Sequence, residues 1–259
     1  MITVAAIALA SAIVVARPPR ARVSTPNDDT VRVVLVVDDT TARRSLVRGA
    51  TLGAEEASHT GALFGTALTL RVETRASFDS ALRAAAAGPS GSASLYLVAG
   101  DSSLCALVAQ QGGSTATPVL DTGCPATSGP PVPAVYSLDA RTPAAAATDS
   151  THVELWHPSL ERFGAEQLNA RFRRRFAAAM DSDAWMGWFA MKIALDLALH
   201  AHSASSAALL QQLADPHAAF DGQKGRPLRF DAATHRLSQP LYRVAGSGDS
   251  SHVVAEVAP

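Results

Sequence analysis

The sequence predicts an α/β fold in which a parallel sheet carries helices on both faces. Three observations lead there. Short β-branched runs alternate with helix-patterned segments over residues 31–141. The first run, VRVVLVV at 31–37, is nearly continuous in apolar residues, as a strand buried on both faces requires. Short stretches of Asp, Gly, Ser and Thr follow the runs, where βα loops belong.

The elements follow in order. Asp38-Asp39-Thr40-Thr41 ends the first strand, and a helix is expected over about 42–61. On it Leu46, Ala50, Leu52, Ala54 and Ala57 make a small-residue face suited to lying close to the sheet. A strand at 68–73, a helix at 78–87 and a Gly/Pro/Ser break at 88–92 come next. A strand at 94–99, a helix at 102–111, a strand at 118–121 and a fifth apolar run at 134–138 complete the series. Residues 142–152 read as an Ala-rich linker, and 153–259 as a mainly helical segment with C-terminal strands. In that segment a helix at 163–178 sets Leu168, Phe172 and Phe176 against a solvated side of Arg171, Arg173, Arg174 and Arg175. Asp181 or Asp183 can cap a helix at 184–202, whose Trp185, Trp188, Phe189, Ile193 and Leu197 surround its girth and predict burial. A helix at 207–214 follows, then two strands, 227–230 and 239–244, around a turn at 231–236.

Composition narrows the function. The 259 residues carry 22 Lys+Arg against 23 Asp+Glu, so there is no positive field to condense on nucleic acid. Residues 2–16 are apolar and uncharged, shorter than the roughly 20 residues of a spanning helix but suited to a signal peptide; an uncleaved anchor is the alternative. Residues 1–30 are therefore expected to be an export signal and a polar tail, with no later segment apolar enough to span. Cys105 and Cys124 suit a disulfide in an oxidising compartment. The other reading is two free thiols, with Cys105 packed on its helix; their spacing does not suit a metal.

Ligands of open parallel sheets bind beyond the carboxyl ends of the strands. That rule selects the stretches 38–41, 100–103 and 121–123 and Asp139 with Arg141, and from them Asp39, Gly100, Asp101, Ser102, Ser103, Thr122, Asp139 and Arg141 as candidate binding residues. Ser102 and Ser103 could seat a carboxylate at a helix start, or the same stretch could simply cap the helix. Trp156 offers a stacking face. An enzyme is not expected: there is no Gly-x-Ser-x-Gly elbow, phosphate-binding glycine loop or His-Glu-x-x-His, and His157 lies only two residues from Ser159, without an orienting third group.

Longer motifs add a resemblance. Residues 153–172 (VELWHPSLERFGAEQLNARF), Asp183-Ala-Trp-Met-Gly-Trp188, Phe220-Asp-Gly-Gln-Lys-Gly225 and Leu237-Ser-Gln-Pro-Leu-Tyr242 resemble the substrate-binding proteins of ABC transporters associated with pyrroloquinoline quinone (PQQ)-dependent alcohol dehydrogenase systems. These are a branch of the type I periplasmic binding proteins. The resemblance implies a periplasmic solute-binding protein, with no chemistry of its own, that takes PQQ or a small anionic or aromatic solute and serves an ABC permease. Residues 31–141 would be its first lobe, and 142–152 would replace most of the second, leaving a reduced, mainly helical lobe. A module without a solute cleft that docks onto a PQQ dehydrogenase or permease is the alternative.

Overall fold

The computed structural model describes residues 30–85, 93–125, 131–139 and 151–257. The expected leader, Arg141 and nearly all of the expected linker lie outside the described residues. Five strands, β1 (Thr30–Val37), β2 (Ala67–Thr74), β3 (Leu95–Ala99), β4 (Val119–Asp121) and β5 (Val135–Ser137), form a wholly parallel sheet in the order β2-β1-β3-β4-β5. The chain moves outward from β1 to β2 and then crosses back to β3, which makes the β1/β3 boundary the topological switch point.

β1 shows why both faces are covered. Val31, Val33, Leu35 and Val37 join one apolar cluster, whereas Val34 and Val36 join a second with Phe78, Leu104 and Val108. The second cluster belongs to α2 (Arg75–Ala85) and α3 (Ser102–Thr115). The first extends through α1 (Arg44–Ala62) into α4 (Ala165–Phe176), α5 (Ser182–Ala201) and α6 (Ser206–Leu213), so the α/β part and the helical segment share one core. Asp181 is the cap of α5: its carboxylate accepts from the Ala184 N–H at 2.8 Å and from Ser45 Oγ at 2.7 Å, pinning the starts of α5 and α1 together. The expected small-residue face of α1 reaches the sheet, yet its tightest approach is to α5. A Cβ on Gly49 would stand 1.8 Å from the Ala184 carbonyl oxygen, and one on Gly187 would stand 2.3 Å from that of Leu46.

The arginine run lies on an exposed face, as its pattern predicts, and two of its members also make ion pairs. Arg171 pairs with Glu56 at 2.7 Å and Arg175 with Glu55 at 2.9 Å, and both pairs tie α4 to α1. The C-terminal strands also pair differently from expectation. β8 (Pro227–Phe230) turns at 231–236 onto the short β9 (Leu237–Ser238), with β7 (Phe220–Asp221) on its other side. Pro240 has no N–H to donate to a ladder and ends that hairpin. β10 (Leu241–Ala245) then leaves to pair with β6 (Thr151–Glu154) and β11 (His252–Val257) in a separate antiparallel sheet. Among the described residues no single helix is long and apolar enough to cross a membrane.

Candidate functional site

The carboxyl ends of β1, β3, β4 and β5 open onto a cleft of about 650 Å³. Its walls are Asp38 and Arg43 beyond β1, Gly100 and Asp101 beyond β3, Thr122 to Pro125 beyond β4, Asp139 beyond β5, and Asp183 in the first turn of α5. Parallel pairing sets Val37 level with Ala99, so Asp38 and Gly100 leave the sheet side by side. A Cβ on Gly100 would lie 2.7 Å from Leu104 Cδ2 and 3.4 Å from Asp38 Cβ, so a side chain there would displace Leu104.

The residues selected from the sequence fall into two groups. Gly100, Asp101, Thr122 and Asp139 line this cleft, whereas Asp39, Ser102, Ser103 and Trp156 do not; Arg141 is not among the described residues. Asp39 turns aside to accept from the Thr41 N–H at 2.7 Å, and its neighbour Asp38 faces the cleft instead. At the start of α3 the carboxylate seat is filled by the chain itself. Asp101 accepts from the Leu104 N–H at 2.8 Å and from Ser103 Oγ at 2.6 Å, and Ser103 Oγ also meets Arg75 Nη1. The bonds from Ser103 and Leu104 hold the Asp101 carboxyl below the usual carboxylate range, so it is an anion at neutral pH. The stretch thus caps the helix, with Asp101 also lining the cleft.

Trp156 was expected to offer a stacking face, but it is fully buried. Its indole N–H donates to Asn169 Oδ1 at 2.8 Å, and its ring stacks on Trp185 with centroids 6.0 Å apart. The apolar core claims it because the Leu155-Trp156 backbone is drawn under α5, where Ser182 Oγ accepts from both N–H groups.

The floor of the cleft is a braced loop. Asp121 Oδ1 accepts from the Gly123 and Cys124 N–H groups at 3.0 and 2.8 Å, and Thr122 Oγ1 donates to the Val98 carbonyl. Burial pushes the Asp121 carboxyl up, against the pull of those two N–H groups. Cys124 is bonded to Cys105, with Cα atoms 6.0 Å apart, so the loop is fastened covalently to α3.

Asp38 and Arg43 were missed as a pair. Arg43 Nε and Nη2 face Asp38 Oδ1 and Oδ2 at 3.2 and 3.4 Å. Burial works against the Asp38 anion, but the guanidinium and the Asp39 N–H outweigh it and hold its carboxyl below the usual range. The available signal was position: Asp38 is the first residue past β1, and Arg43 stands one turn later at the mouth of α1.

His157 and Ser159 do meet, at 2.8 Å, although sequence spacing argued against a useful contact. The Ser159 N–H also donates to the same Nδ1 at 3.1 Å, while Nε2 lies 3.0 Å from Ser251 Oγ. The buried ring closes a turn and fastens it to the residues before β11. It does not line the cleft.

The motifs that carried the family resemblance form another internal tie. Lys224 Nζ donates to Gln239 Oε1 at 2.6 Å, to the Leu155 carbonyl at 2.5 Å and to that of Pro240 at 3.1 Å. Gln239 Nε2 donates to the Leu138 carbonyl at 2.7 Å, so Asp-Gly-Gln-Lys-Gly and Ser-Gln-Pro together hold the end of β5 to the helical segment.

Solved structures share this architecture. A periplasmic binding protein from Burkholderia mallei aligns with a TM-score of 0.64 at 10% identity, over 89% of this chain and 95% of that one. A solute-binding protein of an ABC transporter from Rhodopseudomonas palustris, solved with benzoate, aligns at 0.63 and 12% over 89% and 97%. Another, from Rhodopseudomonas palustris BisB5 with 3,4-dihydroxybenzoic acid, aligns at 0.61 and 9% over 89% and 97%. No protein-family model and no curated protein matches the chain. At such identities the likeness speaks for the fold: the chain has the α/β fold of the type I periplasmic binding proteins.

Proposed function

We propose that this chain is the solute-binding component of an ABC-type uptake system, exported to the periplasm, where it captures a small organic solute without transforming it and presents it to a permease. The observation that carries the reading is the cleft at the topological switch point, walled by residues that leave four neighbouring strand ends. The small ligands named for the structural neighbours, benzoate and 3,4-dihydroxybenzoic acid, support the same class of solute. The family resemblance extends the proposal to a role beside PQQ-dependent alcohol oxidation.

Four aspartates and one arginine line the cleft among the described residues, with Asp38 paired to Arg43 and Asp101 to Arg75. Calorimetric titration tests the proposal, with 3,4-dihydroxybenzoate, benzoate and PQQ as probes. Saturable 1:1 heat with an aromatic acid is expected. Absence of heat with every probe would overturn capture of this solute class and favour the docking module.

A further inference from the structure

Resting on the solute-binding reading above, we infer that the Cys105–Cys124 disulfide is a positioning element of the cleft, holding one wall in its binding shape before a solute arrives. The wall is Thr122 to Pro125, which lines the cleft directly after β4. Its first half is held by hydrogen bonds. The Thr122 N–H and Oγ1 both donate to the Val98 carbonyl at 3.0 Å, and Asp121 Oδ1 takes the Gly123 and Cys124 N–H groups. Those bonds end at Cys124, because Pro125 has no N–H to donate. Beyond that point, among the described residues, the wall is fastened by the sulfur bridge.

The bridge also reaches a second wall. Cys105 stands one turn inside α3, whose cap Asp101 lines the cleft with Gly100, and its sulfur lies 3.6 Å from the Gly100 carbonyl oxygen. One covalent link therefore sets the spacing between the loop after β4 and the start of α3. Both cysteines are half-buried against the apolar cluster of Leu104, Val108 and Val119, so the link is seated on packed structure. At the floor, a Cβ on Gly123 would lie 3.5 Å from Arg43 Nη1 and 3.6 Å from Ala99 Cβ, so any shift of the loop reshapes the cleft there. A wall already in place costs a solute nothing to arrange, whereas fixing the backbone of a single freed residue is worth about tenfold in affinity. A bridge that only stabilised the fold would lower the unfolding midpoint on reduction and leave affinity alone.

The test is calorimetric titration of 3,4-dihydroxybenzoate into the oxidised protein, into protein reduced with a water-soluble phosphine, and into the Cys105→Ser/Cys124→Ser variant. The phosphine gives two electrons to the bridge and takes an oxygen from water to become its oxide, while the two protons of that water complete the two thiols. With the fold retained by circular dichroism, the reduced protein and the variant are each expected to bind about tenfold more weakly than the oxidised form. The phosphine should leave the affinity of the variant unchanged. Equal affinity of the oxidised and a folded reduced form would overturn the positioning role while leaving solute capture intact. A measurement on the oxidised protein alone decides the matter if neither altered form folds: ¹⁵N relaxation should find the Gly123 and Cys124 amides as rigid as those of β4 before the acid is added, and unchanged after. A loop that is mobile in the free protein and stiffens only on binding would overturn the inference. If the acid does not bind the oxidised protein, the solute reading falls and this inference falls with it.

Discussion

His157 shows how a residue with a catalytic look can be a fastening. The Ser159 N–H donates to Nδ1, so the ring proton sits on Nε2 and goes to Ser251 Oγ. Burial draws its pKa below the ordinary histidine value; Glu154 opposes the shift, while His152 and His252 add to it. The unfolded chain therefore takes up a proton at a pH where the folded chain does not. The stability this gives is whole above about pH 6.5 and is lost as pH falls further, through the lowered folded value. Urea midpoints at pH 7.5 and 5.5 should fall more for the wild type than for His157→Gln, which cannot titrate. Equal falls would show that other groups carry the acid sensitivity.

At the scale of elements, glycine spacing decides how α1 and α5 meet. Gly49→Ala would drive a Cβ into the Ala184 carbonyl and force the helices apart, at a cost of about 3 kcal/mol or more. Gly113 in α3 has nothing within 4 Å of its own missing Cβ, so Gly113→Ala should stabilise by about 0.5–1 kcal/mol through helix propensity alone. Denaturant unfolding of both variants gives the opposite signs directly; destabilisation of similar size at both sites would contradict the close contact. The first five strands and the helices between them were legible because buried parallel strands and amphipathic helices leave strong local patterns. Asp181 was legible as a cap for the same reason. The partner of α1 was not, since a small-residue face looks alike whether it meets a sheet or a helix, although Gly49, Gly53 and Gly187 were there to be weighed. The separate sheet of β6, β10 and β11 escaped because β6 is only four residues long and lies far in sequence from the other two strands. Of the candidate site, the strand-end rule found Gly100, Asp101, Thr122 and Asp139. Within 38–41 it could not say which neighbour faces inward, hence the choice of Asp39 over Asp38, nor could it say that Trp156 is needed by the core.

For the whole molecule, one apolar core joins the sheet to the helical segment through α1. We expect a single cooperative unfolding transition. Trp156, Trp185 and Trp188 all lie in the helical segment, so their fluorescence reports on that part, while far-ultraviolet circular dichroism reports on the entire chain. The two curves should coincide, and a tryptophan transition at lower denaturant would mean two independently stable parts. The central claim is that the strand-end cleft captures a small acid. It is tested most directly by titrating ¹⁵N-labelled protein with 3,4-dihydroxybenzoate and mapping the amide shifts. The account predicts saturable shifts concentrated at 38–43, 100–101 and 122–125, the residues that leave β1, β3 and β4. Saturable shifts centred elsewhere, or none at millimolar acid, would contradict it.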